Sequence, residues 1–279
     1  MIQRLSFEFF PPNTEQGRTN LERTRGRLAA YAPEFYSVTY GAGGSTRDRT
    51  FDAVAAIAAD ATPVAPHLSI GNDDQDTLRE LLDRYRDLGI KRIVALRGDI
   101  PSGMGSLRNV RYAAELVELI RRHSGDAFHI EVAAYPETHP DAPSPAADLD
   151  YFHAKVSAGA DSAITQYFFN ADAYFDFVNR CQARGIDIPI VPGIMPITNF
   201  ANLVKFSDNC GAEIPRWIRL RLEAYQDDPA ALKQFGTEVV TALCRRLLAG
   251  GAPGLHFYTL NLARPSQAVL DNLADEYPV

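Results

Sequence analysis

Short runs of β-branched and aromatic residues recur along the chain, each followed by a polar turn and then by apolar residues at helical spacing. The runs cover residues 5–10, 35–41, 64–70, 92–98, 130–135, 163–169, 188–194 and 255–261, eight in all. Thr77-Leu78-Arg79-Glu80-Leu81-Leu82-Asp83-Arg84-Tyr85 is one of the helical patterns between them, and Gly89, Gly159 and Gly185 close such patterns just before the next run. Strands alternating with helices call for a parallel sheet. Eight repeats without a linker call for closure into one α/β domain over residues 1–279, a (β/α)8 TIM barrel. An open doubly wound sheet is the runner-up, weakened because Glu8-Phe9-Phe10-Pro11-Pro12 stands where a Gly-x-Gly-x-x-Gly turn would follow the first strand. Between the seventh and eighth strands the residues 199–209, 214–225 and 230–248 give three helical patterns where one would suffice, which reads as added packing. The proline-rich segments at 140–145 and 192–196 read as loops at strand ends.

Composition narrows the partners. The 279 residues are 46% hydrophobic, enough for a large core, and the net charge of −7 with dispersed basic residues leaves no footprint for nucleic acid or an anionic membrane. Cys181, Cys210 and Cys244 lie in helix-like segments and read as buried thiols of a reducing compartment, not as a disulfide framework or a zinc site. No apolar run reaches spanning length, and Met1-Ile2-Gln3-Arg4 leads directly into the first strand. The expectation is a cytoplasmic, unanchored protein.

One run breaks the apolar rule. Leu5-Ser6-Phe7-Glu8-Phe9-Phe10-Pro11-Pro12 carries a carboxylate in the middle of an aromatic strand, where an unpaired charge is costly. A lone strand Glu more commonly points outward and pairs with a base. The other reading is a carboxyl buried among Phe7, Phe9 and Phe10, whose pKa burial raises so that it donates a proton near neutral pH.

The remaining strand ends favour the second reading. In a barrel the active site lies at the C-terminal ends of the strands. Polar groups collect at those ends: Glu8; Thr39 and Tyr40; His67; Arg97 and Asp99 about Gly98; Tyr135, Glu137 and His139; Gln166; and Asn261. Singly each has a bland reading, His67 as a satisfied core histidine, Arg97 and Asp99 as a mutual ion pair, Tyr135 as packing. Repeated at successive strands they describe a site. It has neither a Ser-His-Asp arrangement nor metal-ligand spacing, and Lys155, the Schiff-base candidate, falls in a helical pattern and not on a strand. Hydrogen-bonding and aromatic groups with one tunable acid suit a flat heterocycle such as a pterin or flavin.

Seven segments carry a family resemblance: Ser6-Phe7-Glu8-Phe9-Phe10-Pro11-Pro12, Val38-Thr39-Tyr40-Gly41-Ala42-Gly43-Gly44-Ser45, Ala65-Pro66-His67-Leu68, Ala95-Leu96-Arg97-Gly98-Asp99, Ala134-Tyr135-Pro136-Glu137-Thr138-His139-Pro140, Ala163-Ile164-Thr165-Gln166-Tyr167-Phe168-Phe169 and His256-Phe257-Tyr258-Thr259-Leu260-Asn261. Together, and in this order over essentially the whole chain, they resemble the bacterial 5,10-methylenetetrahydrofolate reductases. The resemblance implies an FAD-containing barrel. In it NADH or NADPH reduces the flavin, leaves, and is replaced by the folate, a ping-pong reaction that feeds methionine synthesis.

Position by position, the resemblance implies that Glu8 is the general acid protonating the bridging nitrogen of the folate, and that Asp99 holds the pterin and tunes the flavin. It implies that Gln166 serves folate and nicotinamide in turn, that Phe200 packs against substrate, and that Thr39 lies near the nicotinamide. FAD would be held by Tyr40, Ala42, His67, Arg97, Gly98, Asp99, Tyr135, His139, Asp148 and Lys155, the last beside the diphosphate, with Ala113 and Ala142 passing close. The resemblance also implies a homo-oligomer.

The chain departs from the family in places. Leu262 stands where some members have an Arg suited to the glutamate tail, leaving Arg264 as the candidate for that task. Tyr151 and Ala154 replace an Asn and an Arg near the outer phosphate and adenosine. With Val279 as the last residue, the regulatory domain of eukaryotic relatives, and control by S-adenosylmethionine, are not expected. No Rossmann acidic residue is present to separate NADH from NADPH. Two alternatives stay open: direct hydride transfer from nicotinamide to the same folate without flavin, and a pterin-binding barrel with no redox step.

Overall fold

A computed structural model describes residues 2–40, 44–69, 74–98 and 112–278. The strands are β1 (Arg4–Phe9), β2 (Phe35–Val38), β3 (Val64–Ser69), β4 (Arg92–Leu96), β5 (His129–Ala134), β6 (Ser162–Thr165), β7 (Ile190–Val191), β8 (Gly193–Ile194) and β9 (Gly254–Tyr258), all parallel, in the order β7-β6-β5-β4-β3-β2-β1-β9-β8. Since β7 and β8 are halves of one extended stretch, the two ends of this order meet. The sheet is the (β/α)8 barrel.

Pro192 explains the split. It has no N–H to give to a ladder. Ile190 and Val191 therefore pair with β6, while past the proline Gly193 and Ile194 pair with β9, and the Pro192 carbonyl accepts from the His256 N–H at 3.0 Å. The proline expected in a strand-end loop lies within the seventh strand. Several strands also stop short of the runs expected for them: β2 ends at Val38, β6 at Thr165 and β9 at Tyr258. Leu260 and Asn261, with φ of 51° and 58°, turn the chain away from the sheet.

Each strand except β7, which runs on into β8, is followed by a helix: α1 (Glu15–Leu28), α2 (Gly44–Ala58), α3 (Gln75–Asp87), α4 (Ala113–Ser124), α5 (Pro145–Ser157), α6 (Ala171–Ala183), then α7 (Phe200–Cys210), α8 (Arg216–Ala224) and α9 (Pro229–Ala249) before β9, and α10 (Ala263–Asp271) after it. Helix α3 shows how the sequence sets them. Asp74 caps it by accepting from the Thr77 N–H, Leu78, Leu81, Leu82 and Tyr85 bury one face against the sheet, and Gly89 at φ 77° ends the turn. Each buried leucine contributes about 1.5–3 kcal/mol. Among the described residues no helix is long and apolar enough to cross a membrane.

The main core lies between strands and helices, and includes Phe7, Phe9, Tyr36 and Phe257 in mutual ring contact. A separate small cluster of Phe35, Ala65, Val94 and Ile164, with Leu96 and Tyr258, fills the barrel itself. At the N-terminal end of the strands Arg92 pairs with Glu34 and with Glu131, whose side chain is 2% exposed, and stacks over Phe35 at 4.4 Å. Burial alone would raise the Glu131 pKa. The His129, Arg92 and Ser162 contacts outweigh it and hold the carboxyl low.

Candidate active site

Strand alternation decides what surrounds Glu8. Phe7 and Phe9 face the helices, so Glu8, like Ser6, faces the barrel interior. Phe10 is 41% exposed at the rim. The aromatic sheath expected around Glu8 is thus on the wrong side of the strand. Its neighbours are two imidazoles: His67 Nε2 lies 3.3 Å and His256 Nε2 3.7 Å from Glu8 Oε2, whose side chain is 14% exposed. Both Nε2 atoms are buried and lack a hydrogen-bond partner. His256 Nδ1 meets Ser6 Oγ at 2.7 Å, which fixes the orientation of the His256 ring beside Glu8. Burial first, and His256 second, push the His67 pKa below its ordinary value against the pull of Glu8, so His67 is neutral at pH 7.

Tyr258 roofs this cluster. Its hydroxyl donates to the Thr165 carbonyl at 2.7 Å and its ring meets His256 edge-on at 5.2 Å. The approach requires glycine at 193: a Cβ there would lie 2.1 Å from the Thr165 oxygen and 2.6 Å from the Tyr258 ring. The strand end is fixed from β9. Thr259 Oγ1 donates to the Glu8 carbonyl at 2.6 Å, and the Asn261 amide accepts from Phe10 N–H at 2.8 Å and donates to Phe10 O at 3.1 Å. Asn261 therefore holds the strand end just before Pro11-Pro12, where the ladder has to stop.

Above Glu8 opens a cleft of about 400 Å³. Val94, Leu96, Ala133 and Ile164 give it apolar walls, Tyr40 and Tyr135 aromatic ones, and Thr39 and Gln166 polar groups. Gln166 Oε1 accepts from the Tyr167 N–H at 3.0 Å, which fixes its amide orientation. Met195, Tyr167, Phe206, Asn209 and Cys210 complete the far side.

Beside the cleft, at the ends of β4 and β5, Arg97, His139 and Lys155 gather with Asp141 and Asp148. Arg97 pairs with Asp141, the Asp148 carboxylate accepts from the His139 N–H at 2.9 Å, and Lys155 Nζ donates to the Ala133 carbonyl. Asp141 N–H donates to His139 Nδ1 at 3.0 Å, leaving Nε2 as the protonated nitrogen of the neutral ring. Burial lowers the Lys155 pKa to about 8, with Arg97 adding to the shift and Asp148 opposing it. Burial and Arg97 likewise lower His139. Cations that depress one another's charge are relieved by an anion between them, so the cluster fits the diphosphate of a dinucleotide, and the apolar cleft beside it fits a flat ring.

The methylenetetrahydrofolate reductase family model matches residues 2–274. The chain belongs to this family. It is 42% identical to the 5,10-methylenetetrahydrofolate reductase of Salmonella typhimurium over 270 residues, which is 96% of this chain and 90% of that protein. The Escherichia coli K12 enzyme of the same name is also 42% identical, over 96% of this chain and 90% of that protein. Methylenetetrahydrofolate reductase (NADH) 1 of Arabidopsis thaliana is 39% identical over 96% of this chain, which corresponds to 48% of that longer protein. Among solved structures, an uncharacterised Clostridium thermocellum protein described as binding two copies of 5-methyl-5,6,7,8-tetrahydrofolic acid superposes with a TM-score of 0.68 at 15% identity, covering 98% of this chain and 94% of that one; the likeness is one of fold.

Of the positions that the family resemblance singled out, Glu8, Thr39, Tyr40, His67, Tyr135 and Gln166 line one cleft. Arg97, His139, Asp148 and Lys155 form the adjoining cluster, with Gly98 at φ 78° turning the chain just past β4 and Ala142 donating to the His139 carbonyl at 2.9 Å. Ala113 is the first residue of α4. Ala42 and Asp99 lie outside the described residues. Phe200 and Arg264 are not brought in: Phe200, at the start of α7, packs against the main core, and Arg264 is exposed on α10. About two turns further along α7, Phe206 is the aromatic side chain that this helix places on the cleft. The sequence reading passed over Ser6, His256 and Tyr258 as site residues. The two-residue alternation from Glu8 to Ser6, and from His256 to Tyr258, was the available signal.

Proposed function

We propose that the protein is a flavin-dependent 5,10-methylenetetrahydrofolate reductase that forms 5-methyltetrahydrofolate, the methyl source for methionine synthesis, with NADH or NADPH as reductant. The observation that carries the reading is Glu8 facing the interior at the floor of an apolar cleft whose side opens on the Arg97, His139 and Lys155 cluster. FAD, when bound, supplies a two-electron carrier that nicotinamide reduces and the folate reoxidises.

The residues divide the work. Arg97, His139 Nε2 and Lys155 would hold the diphosphate, and Tyr40 and Tyr135 would offer their rings to the flat ring. Gln166, its oxygen taken by Tyr167 N–H, presents amide protons to whichever ligand occupies the cleft. Glu8 gives its proton to the bridging nitrogen of the folate, which opens the five-membered ring and leaves an electrophilic methylene. Ser6, bonded to His256 Nδ1, holds that imidazole beside Glu8. Neutral His67 adds no charge against that transfer. Phe206, Met195 and Leu260 are the apolar groups that exclude water from the far side.

The test is an anaerobic visible spectrum of the purified protein, read before and after NADH and again after methylenetetrahydrofolate. A flavin band that bleaches with NADH and returns with the folate is the expected result. Absence of the band after incubation with FAD would sink flavin dependence, and folate-dependent NADH oxidation would then point to direct transfer.

A further inference from the structure

Glu137 lies just past β5 among the polar groups of the strand ends, and the chemistry above leaves it without a task. Its carboxylate turns to α7 and not to the cationic cluster. Glu137 Oε2 accepts from the Glu213 N–H at 2.8 Å, on the turn that follows this helix. Thr138 makes that possible. Its φ of 77° is strained for a β-branched residue, and the kink sends Glu137 toward α7 while His139 stays bonded to Asp148. Strain of this kind persists where the surroundings enforce it.

The same joint is closed a second time. Gly211 ends α7 at φ 74°, and a Cβ there would lie 2.8 Å from Pro140 Cγ, so the helix end packs directly on the loop that carries Glu137. One turn earlier, Ser207 Oγ meets the Tyr167 hydroxyl at 3.0 Å. These ties matter because apolar burial anchors the helix weakly: of its 11 residues, Leu203 and Ser207 are the buried ones. They also fall on the half of α7 that puts Phe206, Asn209 and Cys210 on the cleft. Phe206 is itself 37% exposed and does little to hold the helix there. We propose that Glu137 is a positioning residue for the folate: by fastening the turn after α7 it sets the far wall of the cleft. A wall in place for part of the time weakens the ligand by that fraction, so the effect falls on KM. The proposal rests on the reductase reading above and adds to it how one side of the cleft is held.

Cys210 reports on the wall, because Cys181 and Cys244 are fully buried and burial raises both of their thiols. The test follows alkylation of Cys210 by iodoacetamide in the full-length protein, by mass spectrometry, beside steady-state kinetics with methylenetetrahydrofolate and NADH. Glu137→Ala is expected to speed alkylation and to raise the folate KM by up to roughly 100-fold, the limit for losing one hydrogen bond to a charged group, with kcat within about twofold. Glu137→Gln keeps an acceptor for the Glu213 N–H and is expected to restore both readings. Gly211→Ala forces the joint from the α7 side and is expected to reproduce the pair of effects seen in Glu137→Ala. Unchanged alkylation in Glu137→Ala overturns the tie, and faster alkylation at unchanged KM overturns the role of the wall; both leave the reductase reading intact. A fall in kcat at unchanged KM gives Glu137 a part in the chemistry and also overturns the proposal. A wild type without folate-dependent NADH oxidation removes the reductase reading and the proposal together.

Discussion

His67 Nε2 lies 3.3 Å from Glu8 Oε2 and yet makes no aligned hydrogen bond with it. The imidazole stands beside the carboxyl without engaging it, which leaves Glu8 Oε2 open to a ligand entering from the cleft. Loose alignment before substrate arrives is common for catalytic groups.

Replacing Glu8 by Gln keeps shape and removes the acid. Folate reduction is expected to fall by at least about 10²–10⁴-fold, the range for general acid catalysis, while reduction of bound flavin by NADH is retained. Stopped-flow measurement of the two half-reactions separates them. Equal loss in both would falsify the role of Glu8 as the folate's proton donor.

Acid sensitivity should trace in part to His67. Its pKa is lowered in the folded state, so below the unfolded value of about 6.5 the unfolded chain binds a proton that the native protein refuses. Its contribution to stability is therefore complete above pH 6.5 and is lost as the pH falls through the depressed native value. In His67→Gln the fall in Tm between pH 7 and pH 5 is expected to be smaller than in wild type. An identical slope in the two proteins would remove His67 from the account.

Lys155 titrates near pH 8 in the free protein, and an anion beside it favours the charged form. Flavin affinity should thus be greatest below pH 8 and decline above it, by at most about tenfold per pH unit. Lys155→Met should bind more weakly at pH 7 and show no such decline. A pH-independent Kd in wild type between pH 7 and 9.5 would contradict the placement of this ammonium at the diphosphate.

At the opposite end of the barrel, Arg92→Ala strands Glu131 in the interior. Breaking a buried pair by removing one partner costs about 3–5 kcal/mol, which urea denaturation would register as a lower midpoint. Activity per folded molecule is expected to be unchanged, since Arg92 begins β4 at the end remote from Glu8.

The sequence made the barrel legible because eight β-branched runs alternate with helical periodicity. Glu8 stood out because a charge in an aromatic strand is anomalous. Its environment was misread, since Phe7 and Phe9 are neighbours in sequence and face away in space. The true neighbours, His67 and His256, come from other strands, and only parallel register brings them to Glu8. Pro192 was legible as a breaker but not as a seam, because a missing N–H says that a ladder bond is absent and not which strands pair on either side. Phe200 and Phe206 lie on the same helix, and which one faces the cleft depends on how α7 docks, which local pattern does not specify.

The line from Ser6 to His256 joins residues 250 positions apart. Until β9 docks, Glu8 sits on an unclosed edge with no His256 beside it, no Tyr258 above it and no Asn261 holding the strand end. Contacts of such sequence separation carry a loop-closure cost that local βα contacts do not. One strand, β9, therefore both closes the barrel and brings Glu8 its neighbours.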